Sequence, residues 1–306
     1  MHWFIFALIS PILMTLANNI DKHLVEKYFK GGGLGAMMIF SSISGLLLLP
    51  VSFIFATKSL FEIPFSYILV LVLIGILSAF AVFSYLAALE DGETSVIVPF
   101  YQTVPIFGLI LGYLFLGETV SLLKVIAIPI IVLGSLILSL EIDEDAGFKF
   151  KVKPIILILF SSFIFAINAI VFKKIATEYS FWTSIFWEYT GLFLVGVFLF
   201  AFIKKHRLQF IKVFKYNKKK VLTLNISNEI LVLLGNLSVE FALILAPVAL
   251  VLLADSYQPL FVLFWGIIFS KFFPNMSYDK FDSKNLIKKV IGIIIIVLGS
   301  IIINIY

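Results

Sequence analysis

The sequence predicts an all-α membrane protein of ten transmembrane helices, built as two five-helix repeats of inverted topology. Three observations lead there. Hydrophobic residues fill 61% of the 306 positions and charged residues only 13%, which inverts the balance of a soluble domain. Ten stretches of roughly twenty mostly apolar residues follow one another, each about the length a helix needs to cross a hydrocarbon core. Short motifs recur in the same order on either side of the polar connection from Glu141 to Lys153. A transmembrane β-barrel is disfavoured because its lumen face would need a polar residue at every second strand position. Helices are the remaining way to satisfy the backbone in lipid.

Taken in order, the spans fall near 3–25, 34–56, 66–88, 94–116, 121–140, 154–175, 181–203, 221–245, 248–270 and 286–305. The first lacks a basic leader and runs too long for a signal sequence, so it reads as a helix of the mature chain, with Asn18, Asn19 and Asp21 in its later part. Apolar length alone places the second and third. The fourth holds Tyr101 and Gln102 between Pro99 and Pro105, and the fifth carries Val132-Leu133-Gly134-Ser135. The sixth bears Ser161 and Asn168; the seventh bears Glu188 between Trp187 and Tyr189. The eighth is the richest in polar residues. The ninth follows Pro247 and contains Asp255 and Gln258, and the tenth repeats Val-Leu-Gly-Ser at Val297 to Ser300. Residues 1–140 therefore form the first repeat, 141–153 a linker and 154–306 the second repeat.

Charge orders these spans in the membrane. The net charge is +5, and 19 of the 23 Lys and Arg fall in odd-numbered connections. The seventh connection alone holds Lys204, Lys205, Arg207, Lys212, Lys215 and Lys218 to Lys220. Such a run points to anionic headgroups at the cytoplasmic face rather than to nucleic acid, and the positive-inside tendency then puts both termini outside. With no cysteine there is no disulfide framework or thiolate metal site. His2, His23 and His206 sit near span ends or in a connection, where interfacial roles outweigh ligation, so neither metal nor cofactor is expected.

The recurrences carry the duplication. Tyr101-Gln102 returns as Tyr257-Gln258 after 156 residues, and the two Val-Leu-Gly-Ser motifs are 165 apart. Asp21-Lys22-His23 lies opposite Phe172-Lys173-Lys174, and Tyr28 opposite Tyr179, at an offset of 151. An odd number of spans per repeat makes the second copy enter the membrane upside down. Exchange of the halves then relates two conformations of similar energy, so a central site faces either side with little bias.

The run Val98-Pro99-Phe100-Tyr101-Gln102-Thr103-Val104-Pro105, the stretch Gly112 to Leu116, the turn Gly117-Glu118-Thr119 and the helix bearing Gly134 together resemble the end of an EamA-type domain. The resemblance implies the drug/metabolite transporter superfamily, whose ten-helix members are duplicated five-helix units with both termini in the cytoplasm, opposite to the orientation the lysines suggest. The second half departs from the pattern: Ser270-Lys271-Phe272-Phe273 stands where the Gly-Glu turn belongs, and Pro259 falls two positions early.

Polar groups at membrane depth are the candidate site, because lipid tolerates them only beside a partner or water. Asn225, Glu229, Asn236 and Glu240 are 4, 7 and 4 residues apart, which at about 100° per residue keeps them within a sector of roughly 60°. That stripe either lines a substrate path or bonds to a neighbouring helix. Asp255, Gln258, Gln102 and Tyr101 join it near the presumed symmetry axis, with Glu188, Asn168 and Asn19 as further lining. Aromatic rings beside Glu188 suit an organic cation. Glu240 and Asp255 are the acids best placed to exchange a proton for substrate.

The chain shows no phosphate-binding glycine loop, zinc-protease helix, nucleophile elbow or paired aspartates for magnesium, so catalysis is not expected. The expectation is a multi-pass protein of the plasma or inner membrane, monomeric or homodimeric. It moves a small organic solute, such as an amine, an amino acid or a related metabolite, by alternating access, with a proton as the candidate coupling ion. The alternatives are a flippase for a lipid-linked or amphiphilic substrate and a structural protein whose polar stripe is interhelical glue.

Overall fold

The computed structural model describes residues 2–28, 34–56, 60–91, 100–139, 152–272 and 286–305. Every regular element among them is helical. In chain order they are α1 (His2–Tyr28), α2 (Leu34–Ala56), α3 (Phe65–Asp91), α4 (Val104–Leu116), α5 (Leu122–Ser139), α6 (Val152–Glu178), α7 (Phe181–Phe202), α8 (Lys204–Leu243), α9 (Val248–Leu252), a 3-10 turn (Leu253–Tyr257), α10 (Gln258–Phe272) and α11 (Leu286–Ile305). Among the described residues, seven stretches are long and apolar enough to cross a membrane: His2–Ile20, Gly35–Ala56, Phe65–Ala88, Val152–Glu178, Phe181–Phe202, Val221–Leu243 and Val248–Trp265. Shorter apolar helices occupy Val104–Leu116, Leu122–Ile137 and Lys289–Ile303. Length and composition make this a multi-pass membrane protein. Most of the expected linker lies outside the described residues.

Two departures from the sequence reading bear on function. Tyr101 and Gln102 do not sit inside a continuous fourth helix: Phe100 and Tyr101 are helical, a turn interrupts the helix at 102–103, and α4 begins at Val104 with Pro105 in its first turn. Proline has no N–H to donate, which is harmless only where the helix has not yet started its hydrogen-bond ladder. The second half repeats the device, since Pro259 is the second residue of α10 and the 3-10 turn precedes it. The other departure is α8, which starts seventeen residues before the expected span. The segment 204–220 lacks glycine, proline and acid, and its lysines, arginine, leucine and glutamine are good helix formers.

Packing pairs the elements in a regular way. α1 lies along α8 and α3 along α6; α2 packs on α7 and α5 on α11; α3 also meets α7, and α2 meets α8. α4 contacts α6 and α9, while α1 contacts the 3-10 turn and α10. Between helices in lipid there is no hydrophobic drive, so close van der Waals approach decides the pairing, and small residues permit it. The two Val-Leu-Gly-Ser motifs do this for α5 and α11. A Cβ on Gly134 would lie 2.8 Å from Ile296 Cγ1 and 3.0 Å from the Gly292 carbonyl oxygen, and one on Gly299 would lie 2.5 Å from Ile131 Cγ1.

Gly134→Leu and Gly299→Leu are therefore expected to overpack this crossing, at about 1–3 kcal/mol each. Leu298→Ala, on the exposed face next door, is expected to be near neutral. Thermal unfolding of the detergent-solubilised protein checks this: a midpoint unmoved in both glycine variants contradicts the close crossing.

Candidate functional site

The predicted polar residues separate into four groups rather than one continuous lining. The first is built between α7 and α8. Glu188 and Tyr189 come from the third turn of α7, and Asn236 and Glu240 from the last turns of α8. Tyr189 is buried, and its hydroxyl donates to Glu240 Oε1 at 3.4 Å. Asn236 is the other side chain in hydrogen-bond reach of Tyr189, and Glu188 lies within electrostatic reach of Glu240. Oε2 of Glu188 and Oε2 of Glu240 are both buried and carry no hydrogen bond. The position of Glu188 is set by backbone contact: a Cβ on Gly75 of α3 would run into the Glu188 carbonyl oxygen, and one on Gly191 would run into the Val72 carbonyl oxygen. Only glycine lets α3 and α7 approach so closely, and that approach fixes where the acid stands.

The second group joins the helix break at 100–103 (helical at 100–101, a turn at 102–103) to the 3-10 turn. Ser256 Oγ donates to Gln102 Oε1 at 2.8 Å, with both residues buried. Tyr101 lies within electrostatic reach of Asp255. Its ring meets Tyr85 of α3 at 5.3 Å and Phe165 of α6 at 6.0 Å, both edge to face. Gln258, half-buried, opens α10 beside this group. Breaking both fourth elements is what exposes these side chains and backbone ends to one another, because an unbroken helix would satisfy its own carbonyls.

The remaining residues bond to neighbouring helices at Glu229 and Asn168 and within their own helices at Asn225 and Asn19. Glu229 Oε1 accepts from Ser41 Oγ of α2 at 2.9 Å, and Ser44 is a second hydroxyl partner. Asn225 Nδ2 donates to the Val221 carbonyl of its own helix at 2.8 Å, and Asn19 Nδ2 does the same to Thr15 at 2.9 Å. Asn168 Nδ2 donates to Ser78 Oγ of α3 at 2.7 Å, leaving its Oδ1 buried without a partner. The 60° stripe on α8 thus faces two neighbours in turn, α2 at Glu229 and α7 at Glu240. Asp21 and His23 have side chains outside the described set.

One ionic cluster was not among the predicted site residues. The turn after α4 ends on Gly117 at φ 63°, and the Glu118 N–H donates to the Gly112 carbonyl at 3.1 Å, a left-handed helix ending that glycine favours. It presents Glu118 to the other half of the chain. Glu118 Oε1 pairs with Lys173 Nζ of α6 at 2.5 Å, and Oε2 accepts from the Val248 N–H at the start of α9 at 2.8 Å. Lys173 Nζ also donates to the Ala246 carbonyl at 2.6 Å. Both side chains are largely covered, at 13% and 15% exposure. The signal lies in the sequence: Gly117-Glu118-Thr119 is a recognisable turn motif, and Lys173 belongs to the 151-residue recurrence.

Residues 1–140 match the model of the EamA-like transporter family. The match covers the first 140 of the 306 residues and likens that part of the chain to the drug/metabolite transporter superfamily. Twenty-eight chains of solved structures also match. One, titled as the crystal structure of a protein, aligns with a TM-score of 0.59 at 12% identity over 97% of this chain and 96% of that chain, a likeness of fold alone. No curated protein matches the chain. The matched family is one of transporters.

Removing one partner of a largely buried ion pair strands the other, typically at about 3–5 kcal/mol. Glu118→Gln and Lys173→Met are therefore each expected to destabilise the protein strongly, and the double variant less than the sum of the two. A double-mutant cycle on unfolding midpoints reads the coupling; strict additivity contradicts the pair.

Proposed function

We propose that this protein is a secondary transporter that carries an amine-bearing organic solute by alternating access, exchanging it for protons. In this reading the chain crosses the membrane ten times, as two five-helix units of opposite orientation in the plasma or inner membrane. The packing supports the duplication. Numbering the elements of each half one to five, with α9, the turn and α10 together as the fourth of the second half, the most extensive pairings between the halves have their mates under exchange. α1 with α8 answers α3 with α6; α3 with α7 answers α2 with α8; α4 with α6 answers α1 with α10; α2 with α7 and α5 with α11 answer themselves. The recurring tyrosines behave alike: Tyr101 packs on Phe165 of α6, and Tyr257 on Phe4 of α1, at 6.0 and 5.8 Å.

The observation that carries the solute is the Glu188–Glu240 pair with its two unpartnered oxygens. Two carboxylates close together in a low-dielectric region need a positive charge between them or a proton on one of them. A primary ammonium offers three donors, which suits two bare oxygens flanked by Tyr189 and Asn236. A proton and an ammonium cannot hold the same oxygens at once, so arrival of one releases the other. Asp255 with Tyr101 extends the site toward the broken helices, where a second polar end of the solute would rest.

Glu118 and Lys173 act in this scheme as the closure of one end. They tie the turn after α4 to α6 and to the start of α9, so opening that end requires the pair to part. The corresponding turn of the second half reads Ser270-Lys271 and the corresponding lysine is Lys22, a combination without an acid. The Glu–Lys pair of residue types therefore does not recur at these positions of the sequence.

In proteoliposomes enclosing a pH dye, adding the solute from a panel of amines, amino acids and nucleosides is expected to move the internal pH only for amines. Glu188→Gln and Glu240→Gln are each expected to lower that signal at least tenfold, roughly the effect of 1.4 kcal/mol or more, while Asn225→Ala leaves it near wild type. Wild-type pH signals in both glutamine variants would falsify the exchange.

A further inference from the structure

We propose that the segment 204–220, the first seventeen residues of α8, is an interfacial helix that binds anionic phospholipid headgroups. The part of α8 apolar enough to cross a membrane is Val221–Leu243, so the preceding residues form helix that the hydrocarbon core does not need. Contacts with α2 show how it lies. His206 fills the space above Gly35, the Phe210 ring meets Phe40 at 4.6 Å, and Val221 clusters with Ala36 and with Leu24 of α1. From residue 206 to 221 the helix advances about 22 Å, yet its contacts on α2 stay within residues 35 to 40, a rise of about 7 Å. The segment therefore runs across the first turns of α2 rather than along them. Those turns open the span Gly35–Ala56, which puts the segment at the membrane boundary.

The side chains sort by face. Phe210 is pinned between Phe40 and Phe200, the latter at 5.7 Å, and Arg207 Nη1 reaches the Ala201 carbonyl at 3.3 Å. Lys204, Lys205, Leu208, Ile211, Lys212 and Lys219 are exposed. At about 100° per residue these six fall within a sector of roughly 120°, opposite Phe210. The uncovered face is thus a mixture of lysines and branched aliphatics, with Leu208 53% and Ile211 47% exposed. Water alone is a poor match for the aliphatic pair, and acyl chains alone for the lysines. At the boundary both are met: lysine stems lie along apolar surface and lift their ammonium groups to phosphate while leucine and isoleucine enter the outer acyl layer. The segment has eight Lys and Arg and no acid, so a zwitterionic surface gives it little and an anionic one a great deal.

The chain has no cysteine, so Leu208→Cys supplies a single thiol for a nitroxide label in the full-length protein. In vesicles of phosphatidylcholine with phosphatidylglycerol, the label is expected to meet oxygen at least threefold more readily than an aqueous nickel chelate, and to lose that preference in phosphatidylcholine alone. Replacing Lys204, Lys205, Lys212 and Lys219 together by Gln is expected to abolish the phosphatidylglycerol dependence. A second label at Ile226, exposed on the spanning part of α8, should stay lipid-accessible in every case and reports that the protein is folded and inserted. A label at 208 that remains aqueous in both vesicles overturns the proposal, as does one equally buried in both and indifferent to the four substitutions; the first outcome would leave this face to a soluble partner.

Discussion

Inside hydrocarbon a helix has already spent its backbone polar groups on itself, so what holds one helix to the next is close contact and the few polar side chains that can reach across. The rest of this protein follows from that constraint. Gly75 and Gly191 bring α3 and α7 backbone to backbone, and the acid of α7 is positioned by that contact rather than by a hydrogen-bond network of its own. Gly134 and Gly299 do the same for α5 and α11, where the partners are the branched side chains Ile296 and Ile131. Because glycine has no rotamer to lose, such crossings are rigid without being costly to form, which is the property a frame around a moving solute needs.

Much of the frame could be read from the amino-acid order, because hydrocarbon imposes a length on each span. The bounds of the second and last helices agree with the sequence reading at 34–56 and 286–305. The Val-Leu-Gly-Ser repeat pointed at a real structural role without revealing it: sequence identity between motifs does not say that they touch. What could not be read is where a helix stops for reasons other than polarity. Pro105 and Pro259 start helices after a break, whereas in a linear reading they are bends within one. Likewise a run of eight basic residues looks like a connection to any hydropathy scan, although nothing in 204–220 opposes helix formation.

The candidate site was legible as a set of residues and not as an arrangement. Helical spacing put Asn225, Glu229, Asn236 and Glu240 on one face of α8, and they are on one face. Yet a single face meets different neighbours along its length, so Glu229 is bonded to Ser41 while Glu240 faces Tyr189. Spacing within a helix carries no information about which helix lies opposite. Glu188 and Glu240 are 52 residues apart in sequence, and only tertiary packing could set them together.

In the proposed transport scheme, the ionic cluster at Glu118 gives a scaffold of two related halves a way to favour one state. Exchange symmetry alone would make the two end-closures equal in energy, and a transporter so built would dwell equally on both sides. The Glu118–Lys173 pair is largely covered, whereas Ser270-Lys271-Phe272-Phe273 offers no acid in sequence to match Glu118, so in that reading the two ends differ in the residue types available for closure. The bias need not be large, since about 1.4 kcal/mol shifts a two-state population tenfold. Too strong a closure would trap the protein, and here the pair is tempered by its surroundings: Lys173 divides its donors between Glu118 and the Ala246 carbonyl, and Glu118 also accepts from the Val248 N–H. When the end opens, each group thus loses only part of its hydrogen bonding to its charged partner, and water entering the gap can replace the rest.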